Sequence, residues 1–166
     1  SDLTGVSGNE TAVRSAIKPL VQDHVDELRV DALGNLITLK RGTGENPLRV
    51  LVTAHMDEVG LMVVGHTGDG GLRAEPIGGL DARLLPGLHV WVGKDKLPGV
   101  IGLQAIHRAN NDTTVKPVDK LVIDIGASSK DDAQSAAPLG APITFATRFR
   151  EMGAAVTGKA FDDRAG

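Results

Sequence analysis

The chain contains no cysteine. That excludes a disulfide framework, a thiolate zinc finger and a cysteine nucleophile, and it leaves histidine and carboxylates as the only holders of any metal. Tyrosine is also absent, and aromatics make up 2% of the 166 residues, with Trp91 the only tryptophan. The interior must then be built from Val, Leu, Ile and Ala, and the platforms on which single-stranded nucleic acid stacks are missing. Positive charge is nowhere concentrated and the net charge is −3, which argues against nucleic acid as a partner. No apolar run reaches transmembrane length and no signal segment is visible, so no membrane partner is expected and the expected localisation is cytoplasmic.

What is present is 41% apolar residues and 21 glycines. This composition suits a packed domain, or two small ones, with many tight turns. Ser7-Gly8-Asn9-Glu10 reads as a capping box, with Ser7 as N-cap of a helix carrying Val13, Ala16, Ile17, Leu20 and Val21 at helical spacing. Pro19 is expected to kink that helix or open a second short one. Leu28 to Asp31 and Leu36 to Lys40 read as strands around the turn Ala32-Leu33-Gly34-Asn35. Leu48 to Ala54 reads as a buried inner strand of a mostly parallel sheet, followed by a strand from Glu58 to Val64. From Gly65 the texture changes to short strand-like runs between Gly and Pro turns: Leu88 to Val92, Val100 to Leu103 and Leu121 to Ile125. That pattern predicts a small β-barrel or sandwich. Ser128 to Ala137 reads as one helix with Asp131 and Asp132 in its first turn. Ile143 to Phe149 and Ala154 to Phe161 read as further strands.

The segment Thr53-Ala54-His55-Met56-Asp57-Glu58-Val59-Gly60 places a histidine and an aspartate two residues apart where a strand leaves the core. Residues two apart on a strand share a face, so Asp57 can buttress an imidazole whose other nitrogen binds a divalent cation. The competing reading is a satisfied strand-end histidine and a turn-capping aspartate. Asp162-Asp163 offers hard oxygen donors, and a carboxylate can bridge two cations. The competing reading is an acidic pair at a helix N-terminus. Adjacent strand residues face opposite ways, so one of the two aspartates is expected to enter a site. His89 and His107 read as surface or packing residues, and His24 and His66, in polar surroundings, are given no role. No phosphate loop occurs, and no serine lies in a nucleophile-elbow context.

Several segments, in order along the chain, resemble one family. They are Ser7-Gly8-Asn9-Glu10, Asp31-Ala32-Leu33-Gly34-Asn35-Leu36, Ala54-His55-Met56-Asp57-Glu58-Val59-Gly60, Gly99-Val100-Ile101-Gly102, Asp124-Ile125-Gly126-Ala127-Ser128-Ser129-Lys130, Pro142-Ile143-Thr144-Phe145 and Gly158-Lys159-Ala160-Phe161-Asp162-Asp163-Arg164-Ala165-Gly166. Together they resemble the cytosolic dinuclear metallo-aminopeptidases that include glutamyl aminopeptidase, the deblocking aminopeptidases and the tetrahedral TET particles. The resemblance implies an α/β protein: a three-layer α/β/α metallopeptidase catalytic domain interrupted by a PDZ-like β-barrel. On this sequence the catalytic domain's first segment is 1–64, the barrel used for dimerisation is 65–152, and the second catalytic segment starts at 153–166.

The resemblance further implies two divalent metal ions, zinc or cobalt. His55 would ligate one, Asp162 would bridge both, and Asp57 would be the catalytic residue that orients His55. Peptides would be the substrates, losing their N-terminal residues, and the protein would be a homo-oligomer between dimer and dodecamer. The family's adjacent glutamates, a further aspartate and a late histidine lie downstream of the Asp162-Asp163-Arg164 segment and have no counterpart among these 166 residues. The expectation is an incomplete catalytic domain, a fragment inactive by itself. Two alternatives are an inactive assembly module acting through the barrel and an endoglucanase. The second conflicts with the scarcity of aromatics that stack on sugars.

Overall fold

The protein is described by a computed structural model over residues 1–102 and 114–165. The expected strand end Leu103, the candidate His107 and the motif's Gly166 lie outside the described residues.

The first helix, α1, spans Thr11–Val21. It starts later than the capping box predicts, because the Ser7 hydroxyl is turned away to donate to Asp57. The Glu10 carboxylate instead accepts from the Gly8 backbone N–H at 2.6 Å. Pro19 sits in the last turn, and the chain tightens at once into a single 3-10 turn at Gln22–His24. The strands β1 (Glu27–Val30) and β2 (Leu36–Leu39) form the expected antiparallel hairpin. Its turn is built by Asp31, whose carboxylate accepts from the backbone N–H groups of Leu33 and Asn35 and from the Asn35 side chain. Gly34 takes the positive φ of 88° that this turn requires.

The run Leu48 to Ala54 corrects the reading of a buried strand. It belongs to no strand, and Leu48, Val50, Leu51 and Val52 are 79–91% exposed. A strand is defined by its pairing, and among the described residues no strand pairs with this run. Among the described residues the one parallel pairing is an isolated bridge between Val6 and Glu58. The ladders between strands are antiparallel.

Six strands close into a barrel: β3 (Gly60–His66), β4 (Leu72–Ile77), β5 (His89–Val92), β6 (Leu97–Ile101), β7 (Val122–Asp124) and β8 (Pro142–Phe145). Their order around the barrel is β3-β4-β7-β6-β5-β8, and β8 returns to pair with β3. β3 begins before Gly65, so the barrel's first strand reaches back towards His55. Alternation fills the interior: Leu61 and Val63, Leu72 and Ala74, Val90 and Val92 point in, joined by Ile101, Ile123 and Ile143. An eight-stranded barrel is about the width that side chains fill. Six strands leave less room, which suits a core of small aliphatics and explains how the chain manages with so few aromatics. One end is covered by α2 (Lys130–Ala136), capped by Ser129, whose hydroxyl accepts from the Asp132 N–H. Ala133 and Ala137 are buried against the barrel, and the His66 ring bonds the Ala137 carbonyl at 2.7 Å.

After β8 the chain leaves the barrel. A short hairpin, β9 (Arg150–Met152) with β10 (Ala155–Thr157), leads into the single-turn helix α3 (Phe161–Arg164). The strands are shorter than the sequence pattern suggested at Ile143 to Phe149 and Ala154 to Phe161. α3 packs back against the segment that precedes β3.

Candidate functional site

The site forms where the two ends of the described chain meet, beside the barrel's β3–β8 seam. His55 stands three residues before Glu58, which is pinned to the N-terminal segment: the Glu58 N–H donates to the Gly5 carbonyl at 2.9 Å, and the Gly5 N–H donates to Glu58 Oε1 at 3.0 Å. Asp162 is delivered by the turn after β10, entered through Ala160 in the left-handed conformation.

His55 Nδ1 lies 3.0 Å from Asp57 Oδ1, and His55 Nε2 lies 3.1 Å from Asp162 Oδ1. The three residues singled out in the sequence are therefore brought together, and of the aspartate pair it is Asp162 that meets the imidazole. Asp57's second oxygen accepts from the Ser7 hydroxyl, which fixes the carboxylate behind the ring. The hydrogen bond from Ser7, followed by that from His55, holds the Asp57 carboxyl below its ordinary range. Asp162, then Asp57, raises His55 above its ordinary value by favouring the charged imidazolium.

The donor chemistry suits a divalent cation. An imidazole nitrogen and a carboxylate oxygen face one another, and the far ring nitrogen is held by a second carboxylate. Two donors about 2.0–2.2 Å from a tetrahedral zinc stand roughly 3.4 Å apart, close to the observed 3.1 Å. Asp162 is 98% exposed at its side chain and His55 53%, so the pair is open to an entering ion. Among the described residues no group of three or more His, Cys, Asp or Glu is arranged to hold a metal ion. The described chain thus presents two candidate ligands and one orienting carboxylate.

Two cavities meet at His55. One of about 520 Å³ has an apolar wall from Ile17, Leu20, Leu33 and Met56; the other, about 300 Å³, lies between Asp162, Lys159, Glu58 and Phe145 of β8. His66 bonds the Ala137 carbonyl after α2, and His89 is the exposed first residue of β5; neither lines these two cavities.

Sequence reading missed Glu58, Lys159 and Arg164. Lys159 Nζ donates to Glu58 Oε1 at 2.9 Å, and Arg164 Nε donates to the Met56 carbonyl at 2.6 Å. Burial pushes the Lys159 ammonium below its ordinary range against the opposing pull of Glu58. Long charged side chains read by default as solvated. The available signal was their position, with Lys159 and Arg164 flanking Asp162 and Glu58 adjoining the His-x-Asp step.

The sequence profile of the family described as M42 glutamyl aminopeptidase matches residues 34–166. The chain belongs to that family. A putative aminopeptidase of Acetivibrio thermocellus is 36% identical over 164 residues, covering 99% of this chain and 48% of the relative. The solved aminopeptidase from the archaeon Desulfurococcus kamchatkensis superposes with a TM-score of 0.89 at 36% identity, covering 99% of this chain and 46% of that one. A TET1 peptidase of Pyrococcus horikoshii, which can assemble into a tetrahedron or a large octahedral shell, is 40% identical with a TM-score of 0.83 over 98% of this chain and 49% of its own. A Thermotoga maritima protein described as an endoglucanase is 42% identical with a TM-score of 0.84 over 100% of this chain and 49% of its own. The M42 chain described here spans about half the length of the relatives it matches. No helix among the described residues is long and apolar enough to cross a membrane.

Proposed function

We propose that this chain supplies part of the active site of a metal-dependent aminopeptidase that removes N-terminal residues from peptides. The observation that carries the reading is the 3.1 Å meeting of His55 Nε2 and Asp162 Oδ1 across 107 residues of sequence, with Asp57 on the far ring nitrogen. His55 and Asp162 would hold the cations, two in number and zinc or cobalt by the family resemblance. Such cations, when bound, polarise a carbonyl and make water a nucleophile near neutral pH. This chain's own part is to hold and orient. Asp57 keeps the imidazole in one tautomer and one plane, Ser7 keeps Asp57 in place, and Asp162 presents a carboxylate to the open side. The Phe145 side of the smaller cavity offers apolar surface for a peptide side chain.

The barrel would be a PDZ-like dimerisation module inserted into a three-layer α/β/α catalytic domain, with 1–64 and 153–166 as flanking catalytic segments around 65–152. The likeness to a TET1 peptidase that assembles into shells supports a homo-oligomer, and the family resemblance supports a cytoplasmic location. An endoglucanase fits less well. A glycosidase holds the glycosidic bond between its two carboxyls, whereas here the His55 ring occupies the space between Asp57 and Asp162.

The test is a zinc or cobalt titration by calorimetry on the chain and on His55→Ala, with hydrolysis of aminoacyl-p-nitroanilides followed in the full-length protein. Metal uptake that requires His55, together with metal-dependent release of p-nitroaniline, supports the reading. Equal uptake by both forms would leave the barrel's assembly role as the function.

A further inference from the structure

His55 and Asp162 are both exposed and share one contact, so they do not set their own spacing. Beneath them is a buried charged group that neither the sequence reading nor the proposed reaction uses. The side chains of Glu58, Lys159 and Arg164 are 4%, 8% and 9% exposed. Glu58 Oε1 takes Lys159 Nζ at 2.9 Å, with Arg164 Nη2 at 3.7 Å. Arg164 uses the rest of its fork on backbone. Nε donates to the carbonyl of Met56, the residue between His55 and Asp57, and Nη1 donates to the Leu3 carbonyl at 2.7 Å. Glycine at position 5 leaves room here, since a Cβ there would stand 2.9 Å from Val13 Cγ2 and 3.2 Å from Arg164 Nη2.

Sequence position gives the arrangement its meaning. Lys159 lies three residues before Asp162 and Arg164 two residues after it. Met56 follows His55 directly, and Glu58 follows Asp57. Two ties therefore bracket the pair, one on each side, and both join the same two segments. A buried ion pair is poor evidence of net stabilisation, because desolvation offsets the attraction. What it does supply is a fixed geometry, and the planar guanidinium fork supplies more of it than an ammonium does.

We propose that Glu58 and Arg164 are positioning residues: through Lys159 and the Met56 carbonyl they lock the His55 segment against the Asp162 turn and so set the separation of the two ligand atoms. This rests on the reading of His55 and Asp162 as cation ligands, and the test separates the two ideas. Cobalt(II) is titrated into the chain and into His55→Ala, Arg164→Lys and Glu58→Gln, with calorimetry for affinity, visible absorption for coordination geometry and circular dichroism for the fold. Arg164→Lys keeps the charge and loses the fork; Glu58→Gln keeps the shape and loses the charge. Each is expected to weaken cobalt binding about 10–100-fold, as outer supports of metal ligands do, and to change the absorption of the bound ion while the circular dichroism stays that of the parent. Binding and spectra unchanged in both variants, with His55→Ala abolishing uptake, would overturn the positioning role alone. Uptake that survives His55→Ala would instead overturn the ligand reading on which it rests. Loss of the folded state in both variants would also overturn the proposal, because the group would then support the fold and not the site.

Discussion

His55 Nε2 and Asp162 Oδ1 stand 3.1 Å apart, although one follows an exposed extended run and the other sits four residues from the last residue of the chain. Between them in sequence lies an entire closed barrel. Its antiparallel β3–β8 pairing brings the chain's exit close to its entry, and so the barrel is what allows two distant segments to share a site.

Substituting the proposed ligands and their proposed support is expected to have graded effects. His55→Ala and Asp162→Asn are expected to abolish measurable cobalt binding. Asp57→Asn is expected to weaken it about 10–100-fold, because it leaves the ligand and removes only its orienting carboxylate. Cobalt absorption titrations check the order; equal losses for Asp57→Asn and His55→Ala would contradict it.

The pH dependence follows from the raised His55. Its proton is held above the ordinary value of 6.5 by Asp162 and then Asp57. In the metal-free protein the stability this contributes is fully present below about 6.5 and is lost as pH rises through the raised value. A binding cation must displace that proton, so its affinity falls as pH drops through the same window. An NMR titration of the His55 ring is expected to show a midpoint above 6.5 that moves down in Asp162→Asn. An unmoved midpoint would count against the pairing.

The barrel core sets stability independently of the site. Leu72 is fully buried among Val63, Ile123 and their neighbours, while Leu33 is exposed at a hairpin turn. Leu72→Ala is expected to cost about 2–5 kcal/mol, and Leu33→Ala within about 0.5 kcal/mol of nothing. Denaturant unfolding of the two variants checks the contrast.

The exposed run Leu48 to Val52 presents apolar side chains in a row. Contiguous apolar surface of this kind drives association. The chain is expected to self-associate at micromolar concentration, and Val50→Lys with Val52→Lys to reduce it. A monodisperse monomer in light scattering, unchanged by the double substitution, would contradict this.

Much of the fold was legible where the determinants are local. The turn Ala32-Leu33-Gly34-Asn35 announces its hairpin, and Asp131 and Asp132 announce the first turn of α2. Short strand-like runs between Gly and Pro turns from Gly65 onward announce a small barrel or sandwich, though not which of the two nor the strand order, because β4–β7 and β3–β8 pair residues far apart in sequence. Ser7 misled because a hydroxyl that can cap a helix can equally serve Asp57. Leu48 to Ala54 misled because apolar content signals burial only when a partner strand is at hand. His55, Asp57 and Asp162 were legible as residue types in a pattern. Glu58, Lys159 and Arg164 were not, because a long charged side chain reads by default as solvated unless its place beside a site residue is weighed.

The most direct measurement is anomalous scattering at the zinc edge from crystals grown with zinc. A peak within about 2.0–2.2 Å of both His55 Nε2 and an Asp162 carboxylate oxygen is the predicted result. Zinc bound elsewhere, with His55 still hydrogen-bonded to Asp162, would contradict the account.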